Sequence, residues 1–150
     1  MIFVDLELKA IAEKHGHHCP DLAIGWRVGS LFRGYIPAHS EGFLVYVYNS
    51  TCAVQALTLM GFETKIEDLR EHTYTLISPE GNILSLLTVR PDFITPPVPM
   101  DELGQKIKEG RATYYEKAHY LHLLDHWVVE IISAAEDEIF WREHEERWVI

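Results

Sequence analysis

Apolar residues recur at helical spacing in two early segments of the chain, 5–14 and 20–34. The first segment mixes leucines, alanines and an isoleucine with charged residues, and Gly16 follows it as a typical helix end. The second segment begins at Pro20, a residue that suits the first turn of a helix. The pattern therefore predicts two N-terminal helices, with Cys19 as the cap of the second.

Strand-like patterning follows at residues 43–48, an almost unbroken run of β-branched and aromatic residues. Such a run predicts a central strand that is buried on both faces. Asn49, Ser50 and Thr51 come next and are typical helix-capping residues. They place Cys52 in the first turn of another apolar helix, which we expect to end near Gly61.

The second half of the chain predicts a hairpin, a connector and further helices. Segments 73–78 and 83–89 are apolar and flank a Pro-Glu-Gly-Asn turn, a pattern typical of a β-hairpin. Prolines crowd residues 91–99 and indicate an extended connector without regular structure. Helical patterning then resumes, with Asp101 as the first cap, over 101–109, 113–134 and 136–148.

These elements predict an α+β fold. Its sheet is mixed or antiparallel, contains the hairpin, and is flanked by N-terminal helices and a helical C-terminal segment. A chain of 150 residues that is 47% hydrophobic is expected to form one domain with a substantial core. Within residues 1–150 we expect a core at 1–91, the proline-rich connector at 91–99 and the helical segment at 100–150.

The second predicted helix carries paired glycines and apolar residues on all sides. Gly25 and Gly29 lie four residues apart, and this spacing favours close packing against another backbone over a role in ligand binding. The apolar surface from Leu22 to Phe32 is more than one small domain easily hides. We therefore expect a homodimer.

The acidic composition of the chain indicates which kinds of partner it can bind. The net charge of −10 and the pI near 5.3 disfavour nucleic acid and anionic membranes, because both carry negative charge. Small-molecule ligands or a partner enzyme are the expected partners. The first residues lack the pattern of a secretion signal, and a chain with two cysteines is too poor in them for a disulfide framework. We therefore expect a cytoplasmic protein.

The hexamer from His15 to Pro20 carries the most informative chemistry, three imidazoles and a thiol. Imidazole and thiolate are ligands that borderline-soft divalent metals prefer. The plainer alternative is a helix-capping histidine, two solvated imidazoles and an ordinary buried thiol. Cys19 and Cys52 both fall at predicted helix N-termini, where the helix dipole favours thiolate.

Two such helix starts at one sheet edge predict a metal site with an open fourth position. The predicted ligands are His17, Cys19 and Cys52, with His15 and His18 in or near the second layer of residues around the ion. Zinc is the first expectation, although nickel, cobalt and iron suit the same donors. No catalytic residue can be assigned from the sequence.

The motif HGHHCPDLAIGWRVG, residues 15–29, resembles the HGHxCPGxxxGxR signature of the FmdE family, named for the E subunit of formylmethanofuran dehydrogenase. Asp21 stands where that signature has glycine. Residues 48–91 resemble the family more loosely, and the chain has Gly61-Phe62-Glu63-Thr64-Lys65 where members commonly carry a glycine-rich, cysteine-containing segment. The signature positions that match are His15, Gly16, His17, Cys19, Pro20, Gly25 and Arg27.

The resemblance implies a metal-binding protein with an accessory or metal-handling role. That role is linked to a molybdenum or tungsten formylmethanofuran dehydrogenase, the enzyme that fixes carbon dioxide onto methanofuran in methanogenesis. A competing hypothesis is a metal-dependent enzyme that acts on a small molecule, with His18 or His15 as proton acceptor. A third is a metal-free redox protein that uses Cys19 and Cys52 as a dithiol.

Two further features have open interpretations. We expect Arg27 to form an ion pair at the surface or at an interface; the alternative is that it anchors an anionic ligand. His119, His122 and His126 share one face of the helix predicted at 113–134. We expect them to form a polar or interface-facing stripe beside Tyr115, with a second metal site as the alternative.

Overall fold

The computed structural model describes residues 5–17 and 19–143. Its helices are α1 (Leu6–His15), α2 (Pro20–Arg33), α3 (Cys52–Leu59), α4 (Pro91–Ile94), α5 (Met100–Lys108), α6 (Tyr114–Ser133) and α7 (Glu136–Ile139). Its strands are β1 (Leu44–Val47), β2 (Glu63–Ile66), β3 (Thr73–Ile77), β4 (Ile83–Val89) and β5 (Phe140–Glu143). The chain is α+β, as the sequence pattern predicts.

The predicted boundaries of the first two helices are confirmed. The Asp5 side chain accepts a hydrogen bond from the backbone N–H of Glu7 at 2.7 Å and so caps α1. Gly16 ends the helix at φ 106°, a left-handed conformation that glycine adopts without a steric penalty. Cys19 is the N-cap of α2, and Pro20 occupies its first turn.

The strands form a single mixed sheet in the order β2-β1-β3-β4-β5 within the described residues. Strands β1 and β2 pair in parallel and are joined through α3, whereas the other neighbouring pairs are antiparallel. The β3–β4 hairpin is confirmed. Strand β2 was not predicted, because Glu63 and Lys65 give this exposed edge strand little apolar patterning.

Strand β1 corrects one expectation. Val45 and Val47 are fully buried, but Leu44 and Tyr46 on the opposite face are only half-buried. The prediction of a strand buried on both faces is therefore wrong for the second face. The strand does lie inside the sheet, between β2 and β3, so its predicted interior position is confirmed.

The core lies on the sheet face that carries Val45 and Val47, and α2, α3 and α6 contribute its other side chains. The apolar residues of α2, such as Val28 and Phe32, are fully buried within this single chain. The apolar surface that suggested a homodimer is thus covered by the chain's own helices α3 and α6. The buried residues of α2 are therefore not available for a dimer contact.

The prediction of a helix over 136–148 is wrong. Helix α7 is a single turn, and the chain then pairs with β4 as the antiparallel strand β5. Phe140 lies opposite Val89 and is buried. The segment forms a strand and not a helix because its aromatic residues favour pairing with the open edge of the sheet. Residues 144–148 of that prediction lie outside the described residues.

The connector and the helices after it follow the prediction with two differences. Pro91 starts the one-turn helix α4 where no regular structure was expected. Helix α5 begins at Met100 after Pro99, so the predicted cap at Asp101 is wrong. Helix α6 is confirmed, and Thr113 forms a capping box with Glu116.

Candidate metal centre

Helices α1, α2 and α3 meet at the motif of residues 15–20. His15 closes α1, Cys19 caps α2, and Cys52 opens α3. The ligand atoms of His15, His17, Cys19 and Cys52 all lie within 4.8 Å of one another. The structure thus brings the predicted ligands His17, Cys19 and Cys52 together, and it places the imidazole of His15 in the same distance range. His18 lies outside the described residues.

Gly25 explains how the two cysteine-bearing helices come so close. A Cβ atom at this position would lie 2.5 Å from the carbonyl oxygen of Ala53 and 2.7 Å from its Cα. Ala53 is the residue after Cys52, so the missing side chain lets α3 begin directly against α2. A Cβ atom at Gly29, further along α2, would meet the Met60 side chain at 2.6 Å. The predicted role of both glycines in close packing is confirmed.

His15 provides the clearest sign that the cluster suits a metal ion. Its Nε2 atom is buried and has no hydrogen-bond partner among the described residues. A buried imidazole nitrogen without a partner costs free energy unless something binds it. The ring of His17 lies beside it, with the two centroids 4.4 Å apart. Two imidazoles and two thiols are donors that a zinc-like cation prefers, so the residues fit a metal.

The surroundings of Cys19 favour its neutral thiol. Burial, with smaller contributions from a hydrogen bond with the Cys52 thiol and from the charges of Cys52 and Asp21, raises the pKa of Cys19 to about 12. The backbone N–H of Leu22 at the helix start opposes this shift but is outweighed. The helix start thus favours the Cys19 thiolate, as expected, but burial opposes it more strongly. A divalent cation would supply the positive charge that deprotonation requires.

Asp21 and His72 lie beside the cluster. Burial raises the pKa of the Asp21 carboxyl, and the charge of His72 lowers it. His72 also has a buried Nδ1 atom without a hydrogen-bond partner among the described residues. His72 was not predicted as a neighbour of the site, since the sheet brings it near α2 across a long stretch of chain. No local motif could have signalled it.

Asn49 and Thr51 hold the start of α3. Thr51, not Asn49, caps the helix by accepting a hydrogen bond from the backbone N–H of Ala53 at 3.3 Å. The Thr51 hydroxyl donates to the Asn49 side-chain oxygen at 2.7 Å, and the Asn49 amide donates to the carbonyl of Glu71 at 3.0 Å. Asn49 is therefore a buried structural link that orients Thr51, and through it the helix that carries Cys52.

Arg27 forms no ion pair with a carboxylate of the described residues, although the charge of Glu136 acts on its guanidinium. Its Nη1 atom donates to the carbonyls of Ile131, Ile132 and Ala134 at 2.8, 2.9 and 2.8 Å. These carbonyls lie at the end of α6, where a helix leaves its last carbonyls without intrahelical partners. The expectation of an ion pair is wrong, and Arg27 instead fastens α6 to α2.

Two clefts reach the cluster from different sides. One, of about 520 Å³, touches His17 and Cys19 and is walled by α5 and α6. The other, also about 520 Å³, touches His15 and Cys52 and is more open to solvent. Asp21 lines both clefts. A ligand could therefore approach a bound ion from either side, with the Asp21 carboxyl within its surroundings.

The helical histidines do not join this cluster. His119, His122 and His126 are exposed on α6, and His126 contacts Glu130 through Nε2 at 2.9 Å. In the part of the chain that the structure describes, the group of His, Cys, Asp and Glu residues that suits a metal ion is the one around Cys19. The interpretation of the α6 histidines as a polar or interface stripe stays a prediction.

Fold and site together define an α+β protein with a Cys/His cluster that suits a divalent metal ion. The chain belongs to the FmdE family, since the family model described as "FmdE, Molybdenum formylmethanofuran dehydrogenase operon" matches residues 14–141. The resemblance seen in the sequence is thus confirmed, and the match extends well beyond the segment at 15–91. No curated protein matches the sequence.

A solved structure has a similar fold. It is the crystal structure of an FmdE-like protein from Syntrophus aciditrophicus, named for a tungsten formylmethanofuran dehydrogenase, with a TM-score of 0.51 and 15% sequence identity. The similarity covers 91% of this chain and 68% of that one. At this identity the likeness concerns the fold. Among the described helices, none combines the length and apolar character needed to cross a membrane.

Proposed function

We propose that the chain is a metal-binding protein of the FmdE type that holds one divalent metal ion. The proposed ligands are His17, Cys19 and Cys52, with His15 beside them. The observation that carries the proposal is that four donor atoms, one from each of these residues, lie within 4.8 Å of one another. In addition, the Nε2 atom of His15 is buried and has no hydrogen-bond partner among the described residues. Zinc is the proposed ion, because two thiolates with imidazole are its common ligand set.

The proposed biological role is accessory or metal-handling, linked to a molybdenum or tungsten formylmethanofuran dehydrogenase. The family description supports the molybdenum enzyme, and the name of the Syntrophus aciditrophicus protein refers to the tungsten one. The chemistry of this chain's own cluster is compatible with holding a metal for another protein. The partner enzyme and the methanogenic pathway are part of the proposal.

A second candidate function is a metal-dependent enzyme that acts on a small molecule. The cleft that reaches His17 and Cys19 favours it, because three protein ligands would leave one coordination position open to that cleft. A bound metal would polarise a substrate or activate a water molecule there. The Asp21 carboxyl lines the same cleft, and burial raises its pKa, so it is a candidate group for exchanging a proton with a bound molecule.

The dithiol redox hypothesis has less support. Thiol–disulfide exchange requires a thiolate at working pH, whereas burial and the neighbouring thiol raise the pKa of Cys19 to about 12. A cytoplasmic location is part of the proposal, because a chain with two cysteines is too poor in them for the disulfide framework of a secreted protein.

Metal analysis tests the main proposal. Protein purified without chelator is expected to contain one divalent ion per chain, and Cys19→Ser and Cys52→Ser should each weaken metal binding by at least about tenfold. The matched control is His122→Gln, which changes an exposed histidine on α6 and should retain the ion. Unchanged metal content in both cysteine variants would remove the basis of the proposal.

Separate histidine variants distinguish an open site from a closed one. With three ligands and an open position, His17→Gln should weaken metal binding strongly, whereas His15→Gln should weaken it by about tenfold, as for a residue beside the ligands. Equal, strong losses in both variants would indicate four protein ligands, the arrangement of a structural site. That result would favour the accessory role over catalysis.

A further inference from the structure

The cleft on the His17 side of the cluster has the dimensions of a small-molecule site. It measures about 520 Å³ and is bounded by the first turn of α2 and by facing surfaces of α5 and α6. Volumes of roughly 300–1,000 Å³ are usual for ligand pockets. Because His17 and Cys19 form part of its wall, a molecule in this cleft would lie against any ion that the cluster holds.

The α5 side of the cleft is a straight row of residues. Met100, Gly104 and Lys108 are four residues apart and all line it, so the row extends about 12 Å along the helix. Tyr120, Leu124 and Trp127 line the cleft from α6 at helical spacing. The cleft is narrow at Gly104, where an added Cβ atom would lie in van der Waals contact with Tyr120 at 3.4 Å.

Two sets of contacts fix which end of the cleft meets the cluster. Arg27 of α2 binds carbonyls at the C-terminal end of α6, so Pro20, seven residues earlier, lies beside the middle of α6 near Trp127. Lys106 pairs with Glu116, which shows that α5 and α6 run antiparallel and that the end of α5 meets the start of α6. Lys108 therefore lies at the end of the cleft away from the cluster.

The charges differ between the two ends. Asp21 and Asp101 lie at the cluster end, where a bound divalent cation would offset their negative charge. Lys108 lies at the far end and forms no ion pair with any described residue. Between them Leu124 and the Tyr120 ring face Gly104 and Gln105, and Met100 and Trp127 lie nearer the cluster. Once the cluster holds an ion, the cleft would offer a metal at one end, a largely apolar and aromatic wall, and a cation at the other end.

We infer that this cleft binds an elongated organic acid. One end group of that molecule coordinates the metal ion, its apolar or aromatic body lies along Trp127, and its acidic group reaches Lys108. The inference rests on the proposed function, because the first contact requires the metal. Beyond the proposed function, it specifies the class of ligand and places that ligand on the His17 side of the cluster.

A bifunctional probe tests the inference directly. The probe is 4′-mercaptobiphenyl-4-carboxylate, which carries a thiol for the metal, an aromatic body and a carboxylate. With the cobalt(II)-loaded protein it should shift the visible absorption bands of the ion, and with the zinc-loaded protein it should quench tryptophan fluorescence. The quenching should disappear in Trp127→Phe. The analogue with a hydroxyl in place of the thiol should leave the cobalt bands unchanged.

Two cleft variants and one control sharpen the test. Lys108→Gln should weaken probe binding about threefold to fivefold, the scale of a solvent-exposed ion pair. Gly104→Leu should fill the cleft beside Tyr120 and abolish binding while cobalt still loads. The matched control is Lys117→Gln, an exposed lysine on α6 outside the cleft, which should bind the probe as the parent protein does.

The outcomes separate the inference from the function on which it rests. If cobalt loads but the probe changes neither signal, or if Lys108→Gln binds it as tightly as Lys117→Gln does, the inference is overturned and the metal site stands. If cobalt does not load at all, both fall. Shifted cobalt bands, Trp127-dependent quenching and selective weakening by Lys108→Gln together support the inference.

Discussion

At the residue scale, neighbours decide what each side chain of the motif can do. Cys19 occupies a helix start that favours thiolate, yet burial and the adjacent Cys52 thiol raise its pKa to about 12. His15 lies at the end of α1, and its buried Nε2 atom in the cluster has no hydrogen-bond partner among the described residues. Without a cation these buried side chains lack suitable polar partners, whereas with a cation between them they can all act as its ligands.

Arg27 is expected to be a determinant of stability, not of metal binding. Arg27→Met removes three hydrogen bonds from a charged donor to the end of α6, and should lower the free energy of unfolding by about 2 kcal/mol. Arg33→Met is the matched control on the same helix, since Arg33 makes an exposed pair with Glu7 and should cost less than about 1 kcal/mol. Urea denaturation measures both; equal losses would contradict the role given to Arg27.

Glu116 should give the α5–α6 pair a dependence on acid. Hydrogen bonds from Lys106 Nζ at 2.6 Å and the Thr113 N–H at 2.9 Å lower the pKa of Glu116 from 4.5 to about 2. A lowered carboxyl pKa stabilises the fold above pH 4.5, and this contribution is lost as the pH falls toward 2.

The corresponding test compares the parent protein with Glu116→Gln. The parent should be the more stable at pH 7, and the difference in urea midpoint should shrink as the pH approaches the folded pKa of about 2. A difference that is independent of pH would show that the carboxylate charge is not responsible.

Much of the residue-level detail follows from the sequence. Gly16, Pro20 and Thr113 mark helix ends because their preferences are local, and all three boundaries are confirmed. The roles of His72 and Arg27 could not be predicted in this way. Their partners are distant in the chain, and the sequence pattern does not encode which distant segments meet.

At the scale of elements, the contact between α2 and α3 determines the site, because each helix begins at one of the cysteines. Strand β1 leads into α3, and the Asn49–Thr51 link fixes its first turn. The predicted helix starts were sufficient to suggest that Cys19 and Cys52 are ligands. Strands β2 and β5 were missed because an edge strand depends on a neighbour for its stability more than on its own pattern.

Gly25→Ala tests whether this helix contact sets the spacing of the cysteines. The added methyl group would meet the backbone of Ala53, which cannot move without displacing α3. We expect a loss of about 1–3 kcal/mol in the free energy of unfolding and weaker metal binding. The measurements are urea denaturation and competition with a metal chelator.

Gly29→Ala is the matched control for this substitution. Its methyl group would meet the end of the Met60 side chain, which is flexible, and alanine gains helix propensity of up to about 1 kcal/mol. Metal affinity should therefore stay close to that of the parent. Equal effects of the two variants on metal affinity would argue against a positioning role for Gly25.

At the scale of the whole molecule, the exposed face of α6 is the surface on which a second copy is expected. Tyr115 is 84% exposed, Leu121 57% and Val129 37%, which is unusual for apolar side chains on one helix. His122 and His126 share the side of α6 that carries Tyr115 and Val129, whereas Leu121 projects from a neighbouring side of the helix. This face replaces α2 as the basis for the proposed homodimer, since α2 is buried in the chain's own core.

Light scattering tests the dimer. At micromolar concentration we expect a mass near twice the chain mass of 17.3 kDa, and Val129→Glu should shift it toward that of one chain because a buried charge opposes association. Ser30→Glu, an exposed position on α2, is the control and should leave the dimer intact. A single-chain mass for the parent protein would contradict the proposal.

The central claim, a metal ion held by the Cys/His cluster, is tested most directly by X-ray absorption at the edge of the metal in the purified protein. We predict two sulfur neighbours at about 2.3 Å and at least one imidazole nitrogen at about 2.0–2.1 Å when the ion is zinc. Cys52→Ser should lose one of the sulfur neighbours. A bound metal surrounded by oxygen and nitrogen alone, with no sulfur neighbour, would contradict the claim.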